Sequence, residues 1–156
     1  KIPVENIKNE WTAYRIGQAY FYRGNFEKAL KYYQKAVEFT PLNLEFREKL
    51  ASAYFNLNQI EKAKTEYEFV LSENEKRPVA LCNLGYIYAL KGQIDEGESL
   101  YDKAIALDPD YGQALINKAA ILIFEKKNSE ARKLLNRVLK INPKNEQVKQ
   151  ALVNTN

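Results

Sequence analysis

Apolar and small residues recur along this chain in two kinds of stretch, separated by short polar turns. In the first, Ala13, Ile16, Gly17 and Tyr20 fall three or four residues apart; in the second, Phe26, Ala29, Leu30, Tyr33, Ala36 and Val37 do the same. That spacing puts each set on one face of an α-helix. The pattern predicts one helix from about Glu10 to Arg23 and another from about Phe26 to Phe39. Gly24-Asn25 between them reads as a helix stop followed by an N-cap. Thr40-Pro41 ends the second helix, because a proline disfavours helical backbone at the residue before it. Two such helices with so short a turn form an antiparallel pair.

The pair then repeats. Gly17-Gln18-Ala19-Tyr20 is followed at intervals of 34 residues by Ala51-Ser52-Ala53-Tyr54, Gly85-Tyr86-Ile87-Tyr88 and Ala119-Ala120-Ile121-Leu122, with no insertion or deletion. A fixed period of this length marks stacked repeats. Counting from residues 10, 44, 78 and 112 gives four units: 10–43, 44–77, 78–111 and 112–145. Gly17, Ala51, Gly85 and Ala119 share one position, and Ala29, Ala63, Gly97 and Ala131 another. Residues this small let two helix backbones approach closely. Tyr33, Tyr67, Tyr101 and Leu135 fill the complementary gap, and Pro41, Pro109 and Pro143 close units one, three and four.

The series Gly17, Tyr20, Ala29, Tyr33, Ala36, Pro41 and its counterpart Leu81, Leu84-Gly85, Tyr88, Tyr101, Ala104, Pro109 resemble the signature of the tetratricopeptide repeat family. Four registered units cover residues 10–145, so the resemblance is specific. It implies an all-α, right-handed superhelical solenoid of four antiparallel helix pairs. Glu146 to Val153 reads as an amphipathic helix capping the last pair, with Val148, Ala151 and Leu152 inward. Residues 1–9 carry no repeat signature and read as an extension or the remnant of a preceding segment. The period also argues against the pentatricopeptide family, whose repeats are one residue longer, and so against base-by-base RNA reading.

Departures from the pattern carry their own expectations. Glu75 stands where unit two should close on proline, and Pro78 instead opens the next helix, where its missing N–H does no harm. Arg47 replaces a large apolar residue, with Phe46 beside it to compensate. Lys118 takes a normally apolar site and is expected to snorkel outward. The turn position held by Gly24, Asn58 and Gly92 is Lys126 in unit four. Lysine tolerates left-handed backbone poorly, so a shifted or looser turn is expected from Lys126 to Asn128.

Composition then narrows the function classes. At 156 residues, 46% hydrophobic and 28% charged, the chain can bury a substantial core. No apolar run reaches the length of a membrane span, and the first residues lack a signal-peptide pattern. Methionine is absent even at position 1, so the chain is expected to be a processed product or a piece of a longer protein. Histidine is absent too, which removes the usual general base and the commonest zinc ligand. Cys82 stands alone, without a CxxC partner, and leaves the redox compartment open. With no metal cluster or phosphate loop either, no cofactor and no catalytic residue is expected. Net charge is +4, concentrated after Lys126, where eight basic residues face two acidic ones. No aromatics interleave with them as base stacking would require, so a solvated face is favoured over nucleic-acid binding.

Stacked helix pairs present a concave surface, and the resemblance implies that the first helix of each pair lines it. Opposite the core face of the first helix lie Trp11, Tyr14, Arg15, Gln18, Phe21 and Tyr22. Counterparts in later units include Glu48, Lys49, Ser52 and Phe55, then Cys82, Asn83 and Tyr86, then Ile116, Asn117 and Phe124. The candidate groove residues are therefore Tyr14, Arg15, Gln18, Lys49, Ser52, Phe55, Asn83, Tyr86, Asn117 and Phe124. One position reads Arg15, Lys49, Asn83, Asn117, a ladder of hydrogen-bond donors suited to the carbonyls of an extended peptide. The aromatics suit an apolar contact surface, although Trp11, Phe21 and Tyr22 equally suit cover for a preceding unit. A subclass of the family grips chaperone C-terminal carboxylates with two lysines, two asparagines and an arginine. Here those positions hold Tyr14, Gln18, Lys49, Val79 and Asn83, so that docking is not expected. The partner expected is a protein or peptide segment, with self-association through repeat ends as the alternative.

Overall fold

The computed structural model describes residues 3–153 and Thr155, and among them every regular element is helical. A 3-10 turn, Val4–Asn6, precedes α1 (Glu10–Phe21), α2 (Phe26–Phe39), α3 (Leu44–Asn56), α4 (Ile60–Glu73), α5 (Pro78–Leu90), α6 (Ile94–Leu107), α7 (Gly112–Phe124), α8 (Asn128–Ile141) and α9 (Glu146–Val153). Lead helices start at residues 10, 44, 78 and 112, as the periodicity predicts, and each packs on the helix that follows it. Asparagine caps fix several starts. Asn9, Asn25, Asn43 and Asn145 accept backbone N–H groups of Thr12, Lys28, Phe46 and Val148 at 2.8–3.1 Å. Pro78 opens α5 at its first turn.

The chain folds as two compact units, Lys1–Glu75 and Lys76–Asn156. In the first, Ala13, Tyr14, Ala29, Tyr33, Ala36, Phe46, Leu50 and Ala53 close a core, and Ile7, just 5% exposed, joins it from the N-terminal turn. Residues before the first repeat therefore take part in the first unit's interior. In the second unit, Leu115, Ala119, Leu122, Ala131, Leu135, Val138 and Val148 pack together, with Ala151 and Leu152 against them. The inward side of α9 is the one its pattern predicts. Tyr33, Tyr67, Tyr101 and Leu135 are each buried within their pairs.

Of three departures, Arg47 resolves as expected and the other two do not. Arg47 donates to the Glu66 carboxylate and the Pro41 carbonyl, each at 2.6 Å, and lies over the Phe69 ring at 4.0 Å, while Phe46 fills the apolar site. Lys118 does not snorkel into water. It turns onto α6, where it pairs with Asp102 and with Glu98 at 3.5 Å. The turn after α7 is neither shifted nor loose. Lys126 adopts φ +61°, beside +72° at Gly24, +58° at Asn58 and +80° at Gly92.

The same hydrogen bond closes all four turns. Asn25, Gln59, Gln93 and Lys127 donate to the carbonyls of Tyr20, Tyr54, Tyr88 and Leu122 at 2.8–3.0 Å. Packing of α7 on α8 thus overrides the left-handed penalty at Lys126. The strain remains and is removable: Lys126→Gly is expected to stabilise the fold by about 1 kcal/mol. A rise in urea midpoint at constant slope is the readout, and an unchanged or lower midpoint would contradict it.

Candidate functional site

A lead helix carries two buried stripes. One faces its own second helix through Ala13 and Gly17 in α1, or Leu81 and Gly85 in α5. The other faces the next lead helix within the unit. The Tyr14 ring stacks on Phe46 of α3 with centroids 4.8 Å apart, and its hydroxyl donates to Glu45. Asn117 of α7 donates to the Cys82 sulfur of α5 at 3.6 Å. Within their units Tyr14 and Cys82, which share one repeat position, are buried at 4% and 0% exposure. This corrects the sequence reading, which set Tyr14 and Cys82 on the open face. A helix packed on two neighbours keeps only a narrow outward strip.

The remaining candidates divide by what their polar atoms do. Gln18 donates to the Tyr14 hydroxyl at 3.0 Å. Ser52 bonds the Glu48 carbonyl and the Tyr67 hydroxyl, each at 2.9 Å. The Asn117 amide is held by Cys82 and by Gln113, whose Nε2 donates to it at 2.9 Å. These three are turned into the packing. In the first unit Arg15 is exposed, and Lys49 and Phe55 are half-buried. In the second, Asn83 is half-buried, while Tyr86 is 42% and Phe124 82% exposed. The expected donor ladder is therefore uneven, since its Asn117 rung faces inward.

The second unit also holds a cavity of about 230 Å³ on its lead-helix side. Tyr86 and Ala89 of α5, Ile94 and Tyr101 of α6, and Ala120 and Phe124 of α7 line it. Sequence reasoning finds Tyr86 and Phe124 but misses the α6 residues, because it confines the surface to lead helices. The signal is present: Phe26, Ile60 and Ile94 put a large apolar residue at the first position of three successive second helices. Burial, and after it the neighbouring Cys82, raises the Tyr101 hydroxyl above its ordinary range, with the Asn117 amide pulling the other way. Burial likewise pushes the Cys82 thiol up to about 12, against the same amide. Cys82 is thus a protonated packing residue at neutral pH and not a nucleophile.

Tetratricopeptide repeat models match residues 11–41, 48–112 and 88–154. The human protein O-mannosyl-transferase TMTC2 is 32% identical over 126 residues, which is 72% of this chain and 15% of that protein. The chain thus spans a small fraction of that relative's length. Photosystem I assembly protein Ycf3 of Prochlorococcus marinus (strain MIT 9215) is 30% identical over 110 residues, 64% of each chain. Among solved structures, a thermophilic tetratricopeptide repeat protein of Thermus thermophilus, TTC0263, superposes with a TM-score of 0.82 at 18% identity, covering 94% of this chain and 80% of that one. The first such domain of Spaghetti (RPAP3), solved with the HSP90 peptide SRMEEVD, gives 0.68 at 22% identity, covering 72% and 90%.

Proposed function

The chain belongs to the tetratricopeptide repeat family, and on that footing we propose that it is a non-catalytic interaction module whose lead helices hold an extended protein or peptide segment. The family's fold is typical of protein–protein interaction. One similar domain was solved with a peptide, and one relative is named as an assembly protein. The observation that carries the reading is the exposure of Tyr86 and Phe124 on the lead helices of the second unit. Core closure does not use them fully, and aromatics left at the surface beside amide side chains fit a binding surface better than a solvated one. In the first unit the exposed Arg15 and the half-buried Lys49 and Phe55 offer a more polar strip.

Absent histidine and a buried, protonated Cys82 support the non-catalytic part of the reading. The positions that would grip a C-terminal carboxylate hold Tyr14, Gln18, Lys49, Val79 and Asn83, so the segment is not a chaperone tail bound by that clamp.

A peptide array probed with the whole chain tests the proposal. Bound peptides are expected to weaken at least tenfold against the Asn83→Ala, Tyr86→Ala double variant, in line with roughly 2 kcal/mol for an aromatic hot spot. Neither residue is buried, so the variant should keep its fold. Undiminished binding by a folded double variant would take the lead-helix surface out of the account.

A further inference from the structure

We infer that the cavity between α5, α6 and α7 is an anchor pocket for one bulky uncharged side chain, aliphatic or aromatic, of the bound segment; this rests on the interaction reading above and names its ligand chemistry. Size is the first argument. At about 230 Å³ the cavity falls below the roughly 300–1,000 Å³ of sites for drug-sized ligands, and suits a single side chain.

Charge is the second. No residue of α5 is ionisable to a formal charge at neutral pH, and α7 carries Lys118 alone. Two residues along a helix turn the side chain by about 200°, so Lys118 lies across α7 from Ala120. Its ammonium is held on α6 by Asp102 and Glu98. Beyond the end of α7, Lys127 pairs with Glu125 at 2.8 Å. The third wall, α6, carries Asp95, Glu96, Glu98, Asp102 and Lys103, but none of them lines the cavity. A charged side chain entering the pocket would lose water and meet no counter-ion in its lining, whereas an apolar one loses nothing. The polar groups deep in the wall are already engaged, since Asn117 is held by Cys82 and Gln113.

The rim is the third argument. Tyr86 and Phe124 are 42% and 82% exposed at the mouth, and Leu90, one turn beyond Tyr86 on α5, is 57% exposed. A flanking part of the same segment would cover this apolar collar. Half-buried Asn83, one turn before Tyr86 on α5, places an amide to meet that segment's backbone. The first unit's lead helices, by contrast, carry Glu10, Arg15, Glu45, Arg47, Glu48 and Lys49. The same segment chemistry is not selected there.

The test uses the whole chain and an array of synthetic peptides in which one central position is varied over all side chains. Alongside it, N-acetyl-leucinamide and N-acetyl-lysinamide are titrated into isotope-labelled protein by NMR. Leucine, isoleucine or phenylalanine at the central position should bind at least tenfold better than lysine or aspartate. N-acetyl-leucinamide should shift Ala89, Ala120 and Phe124 where the lysine probe does not. Ala120→Leu, an exposed helix-compatible change that fills the mouth, should abolish both effects with helix content intact. Array binding that needs Asn83 and Tyr86 but shows no apolar preference, or survives Ala120→Leu, overturns the pocket and leaves the interaction reading standing. Array binding indifferent to Asn83 and Tyr86 overturns both.

Discussion

Gly97→Val is expected to lower the stability of the second unit by about 3 kcal/mol, at the upper end of what overpacking costs. A Cβ at residue 97 would sit 2.8 Å from the Gly85 carbonyl oxygen and 3.3 Å from the Ala89 nitrogen. These are backbone atoms of the facing helix, so no rotamer change relieves the clash and α5 and α6 must separate. From the other side, a Cβ at Gly85 would meet the Gly97 carbonyl at 3.0 Å and the Tyr101 ring at 2.9 Å. The other three hairpins carry Ala29, Ala63 and Ala131 at the same repeat position, all fully buried. The repeat therefore accepts a methyl there in general, and it is this pair, with glycine on both helices, that closes backbone on backbone. Gly97→Ala should cost less than valine, because about 1 kcal/mol of helix propensity offsets part of the clash. Denaturant unfolding of both variants measures this. A valine variant as stable as the parent would show that the pair can open without loss.

Alkaline unfolding is the second large effect. Burial raises the hydroxyls of Tyr14, Tyr33 and Tyr101 above their ordinary value of 10.0, and the Cys82 thiol from 9.0 to about 12. Each group is neutral when protonated, so the folded chain holds protons that the unfolded chain releases. Stability from these groups is complete below about pH 9 and falls as pH rises, by about 1.4 kcal/mol per pH unit for each group passed. Tyr101 and Cys82 in the second unit together give nearly 3 kcal/mol per unit above about pH 10. A fold worth roughly 5–15 kcal/mol cannot hold against that slope for long. Helix content should therefore collapse in the same step in which the buried tyrosines' share of the tyrosinate absorbance appears. Cys82→Ala should move the transition to higher pH relative to its own neutral stability. Tyrosines that all ionise near pH 10 with helix content unchanged would contradict the burial argument.

Several side chains show where sequence pattern and structure part. Glu10, Phe26, Leu44, Ile60, Pro78, Ile94, Gly112, Asn128 and Glu146 begin helices, at positions readable from apolar spacing and the 34-residue period, except that a shift is expected before Asn128 and none is seen. Lys126 escapes a propensity argument because propensity is local: the penalty for φ +61° is real, but smaller than what a complete α7–α8 contact returns. Lys118 escapes it because its partners, Asp102 and Glu98, sit on a neighbouring helix that no spacing rule connects to it.

The surface is less legible than the fold. Of the ten candidate residues, Arg15, Tyr86 and Phe124 are exposed, whereas Tyr14 is interior and Ser52 and Asn117 face their own helix neighbours. An amphipathic pattern reports one buried stripe per helix, the one facing its hairpin partner. The second stripe shows in Tyr14 and Cys82, two unlike residues at one repeat position, so no hydropathy rule marks it.

What the amino-acid order settled alone was therefore the helices, their repeat and their ends apart from the turn at Lys126, because backbone propensity, capping and apolar period act over a few neighbouring residues. Which side chains stay in water, and that Tyr86, Ala120 and Phe124 meet Tyr101 around a cavity, was decided by tertiary packing. Those contacts join helices distant in sequence, and their geometry follows from how closely particular backbones approach.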